Sequence, residues 1–160
     1  MGVEVALFKL DLEENIKVDT LVNALFQLSF SKVKSADNSH KLEHISNAGI
    51  IEVEVIEENK FIKHFFVRFS LGNPNEIIDA LTIIITKLND LHNFNLFYND
   101  LENFKKIDIT KNSLFKLKEE LIERKNFFDN HHMRINIPIR GGKETFDYIR
   151  KNKKCQEKKN

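Results

Sequence analysis

Tryptophan is absent from this chain, cysteine occurs once, proline twice and glycine five times. Cys155 therefore has no partner for an internal disulfide, and neither a paired-thiol redox motif nor a cysteine-based zinc site can be assembled. That usage fits a reducing compartment, and the sequence predicts a cytoplasmic protein. With so few glycines and prolines, Gly- or Pro-rich low-complexity architectures are excluded. Charge of one sign is lacking too. The 25 Lys/Arg meet 24 Asp/Glu for a formal net charge of +1, which leaves no global field to draw the chain onto nucleic acid or an anionic membrane. Long apolar runs are missing as well. The opening MGVEVALFKLDLEE is interrupted by Glu4, Lys9 and Asp11, so neither a signal peptide nor a spanning helix is expected there, and Ala6 stands where a myristoylation pattern needs Ser or Thr.

What is present is enough for one core. A length of 160 residues with 41% apolar content and 14 Phe suits a single domain with a Phe-rich interior. The expected organisation is one α+β domain over residues 1–150 and a charged, disordered tail over 151–160. Arg140–Asn160 holds eight Lys/Arg against Glu144, Asp147 and Glu157, so the body is mildly acidic and the tail basic.

Periodicity orders the elements. VEVALFKLDL (Val3–Leu12) is apolar on both faces, as a central strand would be. In VDTLVNALFQLSF, Leu21, Leu25 and Leu28 form a helical stripe with Asp19 placed to cap it. Residues 31–48 are polar and weakly patterned, consistent with a strand, a short helix or a loop. GIIEVEVIEENKFIKHFFVRFSL reads as a hairpin in which Ile51, Val53 and Val55 alternate with Glu52 and Glu54, and Phe65, Val67 and Phe69 line the returning strand. Its turn, EENK, places Asn59 where a positive φ is tolerated. A second helix is announced by Asn73 as cap, Pro74 in the first position and Glu76 three residues after the cap. Ile77, Leu81, Ile84, Leu88 and Leu91 then keep the helical period. FNLFY reads as a strand, residues 112–129 as a third helix, and MRINIPI as a short edge strand. The order β-α-β-β-α-β is the ferredoxin-like pattern, an antiparallel sheet with both early helices on one face. The extra helix is expected to cover the sheet's other face or an edge.

Four features carry possible chemistry. IPIRGGKETFDYIRKNKK (Ile137–Lys154) places Gly141 and Gly142 before Lys143, but lacks the upstream glycine and the hydroxyl of a phosphate-binding loop, so a turn into a short helix accounts for it. The basic C-terminus offers a nucleic-acid reading, which the absence of paired stacking aromatics in an RNA-recognition strand disfavours. His40, Glu43 and His44 fit H-x-x-E-H, which on a helix would set two imidazoles beside a carboxylate for zinc-dependent catalysis. Only Leu42 and Ile45 could anchor such a helix, so surface residues of a loop or short strand are the better account. Finally, Glu52, Glu54, Glu57 and Glu58 give the hairpin a negative rim, suited to a basic partner and also to guarding a sheet edge. No catalytic residue, cofactor or metal is assigned.

HFFVRFSLGNPNEIIDALTIIITKLNDLHNFNLFYND (His64–Asp100) resembles a strand–turn–helix–strand unit of small bacterial immunity proteins from polymorphic or contact-dependent toxin systems. The resemblance rests on Arg68–Phe69, then Asn73–Pro74, then a long apolar helix leading to a strand. It covers about a quarter of the chain and transfers no binding residue. It implies a non-enzymatic cytoplasmic protein that binds a cognate toxin domain and occludes its active site. The expected contact residues, Glu52, Glu54, Glu57 and Glu58, come from the acidic rim of the hairpin and not from the resemblance. Membrane is not an expected partner, and the oligomeric state is left open.

Overall fold

A computed structural model describes residues 5–36, 38–99 and 103–134. Val5 to Lys17 form β1, in which Ala6, Phe8, Leu10 and Leu12 are buried while the alternate residues Val5, Leu7, Lys9 and Asp11 are half-buried. α1 (Val18–Gln27) follows without a break, and Asp19 lies in its first turn rather than at the cap, which Lys17 occupies with no side-chain bond. The helix stops because Ser29 turns left-handed (φ 65), letting the Ser29 and Phe30 amides donate to the carbonyls of Phe26 and Leu25 at 3.0 Å each.

Residues 31–48 resolve into two strands, β2 (Ser31–Ala36) and β3 (Ser39–Ser46). The expected hairpin is present as β4 (Gly49–Ile56) and β5 (Phe61–Ser70). α2 (Glu76–Leu91) begins later than the cap signal suggested, with Asn75 in the cap position. Asn73 is instead fully buried, its Nδ2 donating to the Ile50 carbonyl at 3.5 Å. Of the α2 stripe, Ile77, Leu81, Ile84 and Leu88 are buried, whereas Leu91, in the last turn, is exposed.

β6 (Phe94–Asn99) matches the expected strand, and β7 (Phe104–Ile107) is an addition. α3 runs over Lys111–Arg134. Met133 and Arg134, expected to start an edge strand, therefore belong to this helix. The rest of that strand, the Gly141–Gly142 turn and the basic tail lie outside the described residues.

The fold is α+β: the described residues form one seven-stranded antiparallel sheet in the order β2-β3-β4-β5-β1-β6-β7, with three helices. The expected four-stranded sheet is too narrow, because the β2–β3 hairpin widens it beyond β4 and β7 beyond β6. A single core joins Phe8 and Leu10 of β1, Phe65 and Val67 of β5 and Leu96 of β6 to Leu21 and Leu25 of α1, Leu81 and Leu88 of α2, and Leu114, Leu117, Leu121 and Phe128 of α3. α3 thus joins α2 on the already covered face and packs beside the edge strand β7, so of its two expected places, the opposite face or an edge, the opposite face is corrected. Its apolar stripe continues the same core, so there is nothing left over for the other side. Arg124 fastens it to the sheet, Nη1 donating to Tyr98 Oη at 2.6 Å and to the Asn99 carbonyl at 3.1 Å, with Nη2 reaching the Val5 carbonyl at 3.4 Å.

Candidate functional site on the helix-free sheet face

Side chains alternate across a strand, so the residues out of phase with the core all emerge on one surface that no described helix covers. Strand register lines them up in rows. One row runs Lys41, Glu54, Phe66, Lys9, Phe97, Lys106 across β3, β4, β5, β1, β6 and β7, each residue directly opposite the next. A second, beside it, runs Glu43, Glu52, Arg68, Leu7. From Glu54 to Lys106 the first row alternates charged and aromatic groups, and Lys41 adds a second charge beside Glu54. Lys9 Nζ lies 5.9 Å from the Phe97 ring centroid and 3.7 Å from Asp11 Oδ1, and Phe66 meets the His64 ring edge-on at 5.6 Å.

The carboxylates here are already engaged. Arg68 Nη2 donates to Glu52 Oε1 and its Nη1 lies 4.0 Å from Glu54 Oε2. Glu54 Oε1 also receives Lys41 Nζ at 3.6 Å and the Ser39 hydroxyl at 3.4 Å. Glu43 and Glu52 are only 3% and 9% exposed and stand opposite each other, and the Arg68 guanidinium supplies the charge that offsets the burial of Glu52. A face of this kind presents Leu7, Phe66 and Phe97, all half-buried, among charges held in fixed positions. That is the chemistry of a contact surface.

The four acidic residues singled out in the sequence are split by this geometry. Glu52 and Glu54 lie on the helix-free face, bound to Arg68. Glu57 Oε2 lies 2.8 Å from His40 Nε2, and Glu58 is exposed in the β4–β5 turn. The residues that sequence reasoning passed over are Phe66 and Phe97. Their signal was phase: each is apolar in a position that alternation assigns to the wet side of its strand.

The H-x-x-E-H match falls in β3, a strand, and this removes the helical frame that zinc ligation needs. His40 and His44 project to the helix-covered side and Glu43 to the other. His44 Nδ1 contacts the Leu28 carbonyl at 3.2 Å and its ring lies 5.4 Å from that of Phe30. Among the described residues no group of three or more His, Cys, Asp or Glu could hold a metal ion, and no helix is long and apolar enough to cross a membrane.

Comparison with family models, with curated proteins and with solved structures gives no match.

Proposed function

We propose that this chain is a non-enzymatic binding protein that neutralises a cognate bacterial toxin domain, and that the helix-free sheet face is where the toxin seats. The observation that carries the reading is the row Lys41–Glu54–Phe66–Lys9–Phe97–Lys106. Six strands at about 4.8 Å spacing make it about 24 Å long, a match for the width of a protein–protein patch and far larger than a small ligand requires. Aromatic rings beside an arginine, here Arg68 in the neighbouring row, are among the side chains enriched in such contacts. The fixed order of charges and rings along the row, with Glu54 its one acidic member, favours one partner in one register. Because Glu52 and Glu54 are tied to Arg68, their part is to hold that register, and the aromatic residues supply the area.

The immunity assignment itself rests on the strand–turn–helix–strand resemblance over His64–Asp100. Supporting it further, β4-β5-β1-β6 with α1 and α2 follow a ferredoxin-like order, which we read as the core of the fold with β2–β3 and β7 as extensions.

The test is co-expression with the C-terminal domain of a toxin encoded in the adjoining gene. Wild-type chain is expected to restore growth and to purify with that domain. A Phe66→Asp/Phe97→Asp variant, checked for folding by circular dichroism, is expected to bind about 100-fold more weakly, while Glu58→Lys in the turn changes little. Failure of the wild type to protect, or full protection by the double variant, overturns the assignment.

A further inference from the structure

Between α2 and α3, on the opposite side of the molecule from the binding face, lies a groove of about 690 Å³. Thr82 and Thr86 form its α2 wall, and both hydroxyl protons are committed, Thr82 Oγ1 to the Ile78 carbonyl and Thr86 Oγ1 to the Thr82 carbonyl, each at 2.9 Å. That wall makes little demand on water. Leu114 and Phe115 form the α3 wall, and Phe115 is left 58% exposed at the rim.

The two ends differ in charge. At one, Lys118 is neutralised by Asp79. At the other, Lys111 opens α3, whose first turn contains no acidic residue, and among the described residues no carboxylate pairs with it. An apolar trough with one cationic end and one neutral end complements a molecule that has an apolar chain and a single anionic head.

We propose that this groove binds an aliphatic monocarboxylate, its head at Lys111 and its chain lying along Leu114 and Phe115 toward the Asp79–Lys118 pair. Size selects a small molecule over a partner helix. The volume falls within the range of about 300–1,000 Å³ found for small-ligand sites. From Lys111 to Lys118 the helix advances only about 10 Å, too short for a protein interface of about 800 Å² per partner. Asp79 sets the direction, because its carboxylate disfavours a second anion at the far end.

The experiment is an amide NMR titration of the full chain with octanoate, decanoate and dodecanoate, each below its aggregation concentration. Saturable shifts centred on Thr82, Leu114 and Phe115 are expected, with affinity rising about fourfold per added methylene until the trough is full. Decanol is expected to bind about tenfold more weakly than decanoate, the loss of one charge-assisted contact. Lys111→Gln brings decanoate to the level of decanol, whereas Lys116→Gln, exposed and outside the groove, leaves it unchanged. Thr82→Phe, which fills the trough, abolishes binding while the thermal transition persists. Absence of saturable binding, shifts centred elsewhere, or undiminished decanoate affinity in Lys111→Gln overturns the proposal.

Discussion

Lys60 has φ 68 beside Asn59 at φ 53, so the β4–β5 hairpin closes through a two-residue turn in which both central residues are left-handed. Glu58 and Phe61 exchange backbone bonds of 2.8 and 3.0 Å across it. Asparagine tolerates that conformation; lysine does so at a cost, since its Cβ crowds the following carbonyl. Lys60→Gly is accordingly expected to raise stability by about 0.5–1 kcal/mol, measured by chemical denaturation. The Lys60 carbonyl, which accepts from the Val18 amide at 3.0 Å, is retained in that variant. Gly49 behaves in the opposite way. At φ 121, with Asn73 Oδ1 only 2.1 Å from where a Cβ would stand, it meets both a backbone and a steric barrier. Gly49→Ala is expected to cost about 3 kcal/mol, and adding Asn73→Ala should recover only part of that, because the clash is relieved while the φ is not. An equal loss in both backgrounds would mean that the side chain of Asn73 is irrelevant to the glycine.

Among the elements, α3 depends on Arg124 more than on any ion pair with its own neighbours. Glu120, placed four residues before Arg124 as if to pair with it, contacts Lys105 at 3.7 Å, while the guanidinium crosses to Tyr98, Asn99 and Val5. Lysine cannot reproduce a fork that serves three acceptors, so Arg124→Lys is expected to lower stability by about 1–2 kcal/mol in thermal or urea unfolding. How far the elements could be read in advance depended on how much apolar pattern each contains. β1, the β4–β5 hairpin, α2, β6 and α3 each bury a continuous stripe, and those stripes are visible in the letters. β2 and β3 are not legible in this way: among the described side chains between Ser31 and Ser46, Leu42 is the one fully buried apolar group, so β3 is held by pairing to β4 and β2 by pairing to β3, and pattern holds neither. The same gap explains the H-x-x-E-H reading, since a spacing that gathers three residues on a helix scatters them on a strand. For the candidate face, Glu52 and Glu54 were visible as an acidic alternation. Their link to Arg68 and Lys41 needed the register of three strands, which no local signal supplies.

At the scale of the whole molecule, a sheet whose described helices all lie on one side must manage its two edges as well as its open face. β7, at one edge, has four residues, a short template for further pairing. β2, at the other, is longer, and it presents exposed Lys32 and Lys34 around a break in register at Val33. Charge and irregularity there discourage strand-to-strand association. Lys32→Ile/Lys34→Ile is therefore expected to produce concentration-dependent oligomers in light scattering, with the monomeric circular dichroism spectrum preserved at low concentration. The position of β1 has a different kind of effect. This strand is synthesised before both strands that flank it: Leu10 waits for Phe65 and then for Leu96. Until β5 and then β6 are synthesised, this apolar strand lacks its neighbours and stays unprotected, and refolding in vitro is set by the slow closure of those long loops, on the millisecond-to-second scale.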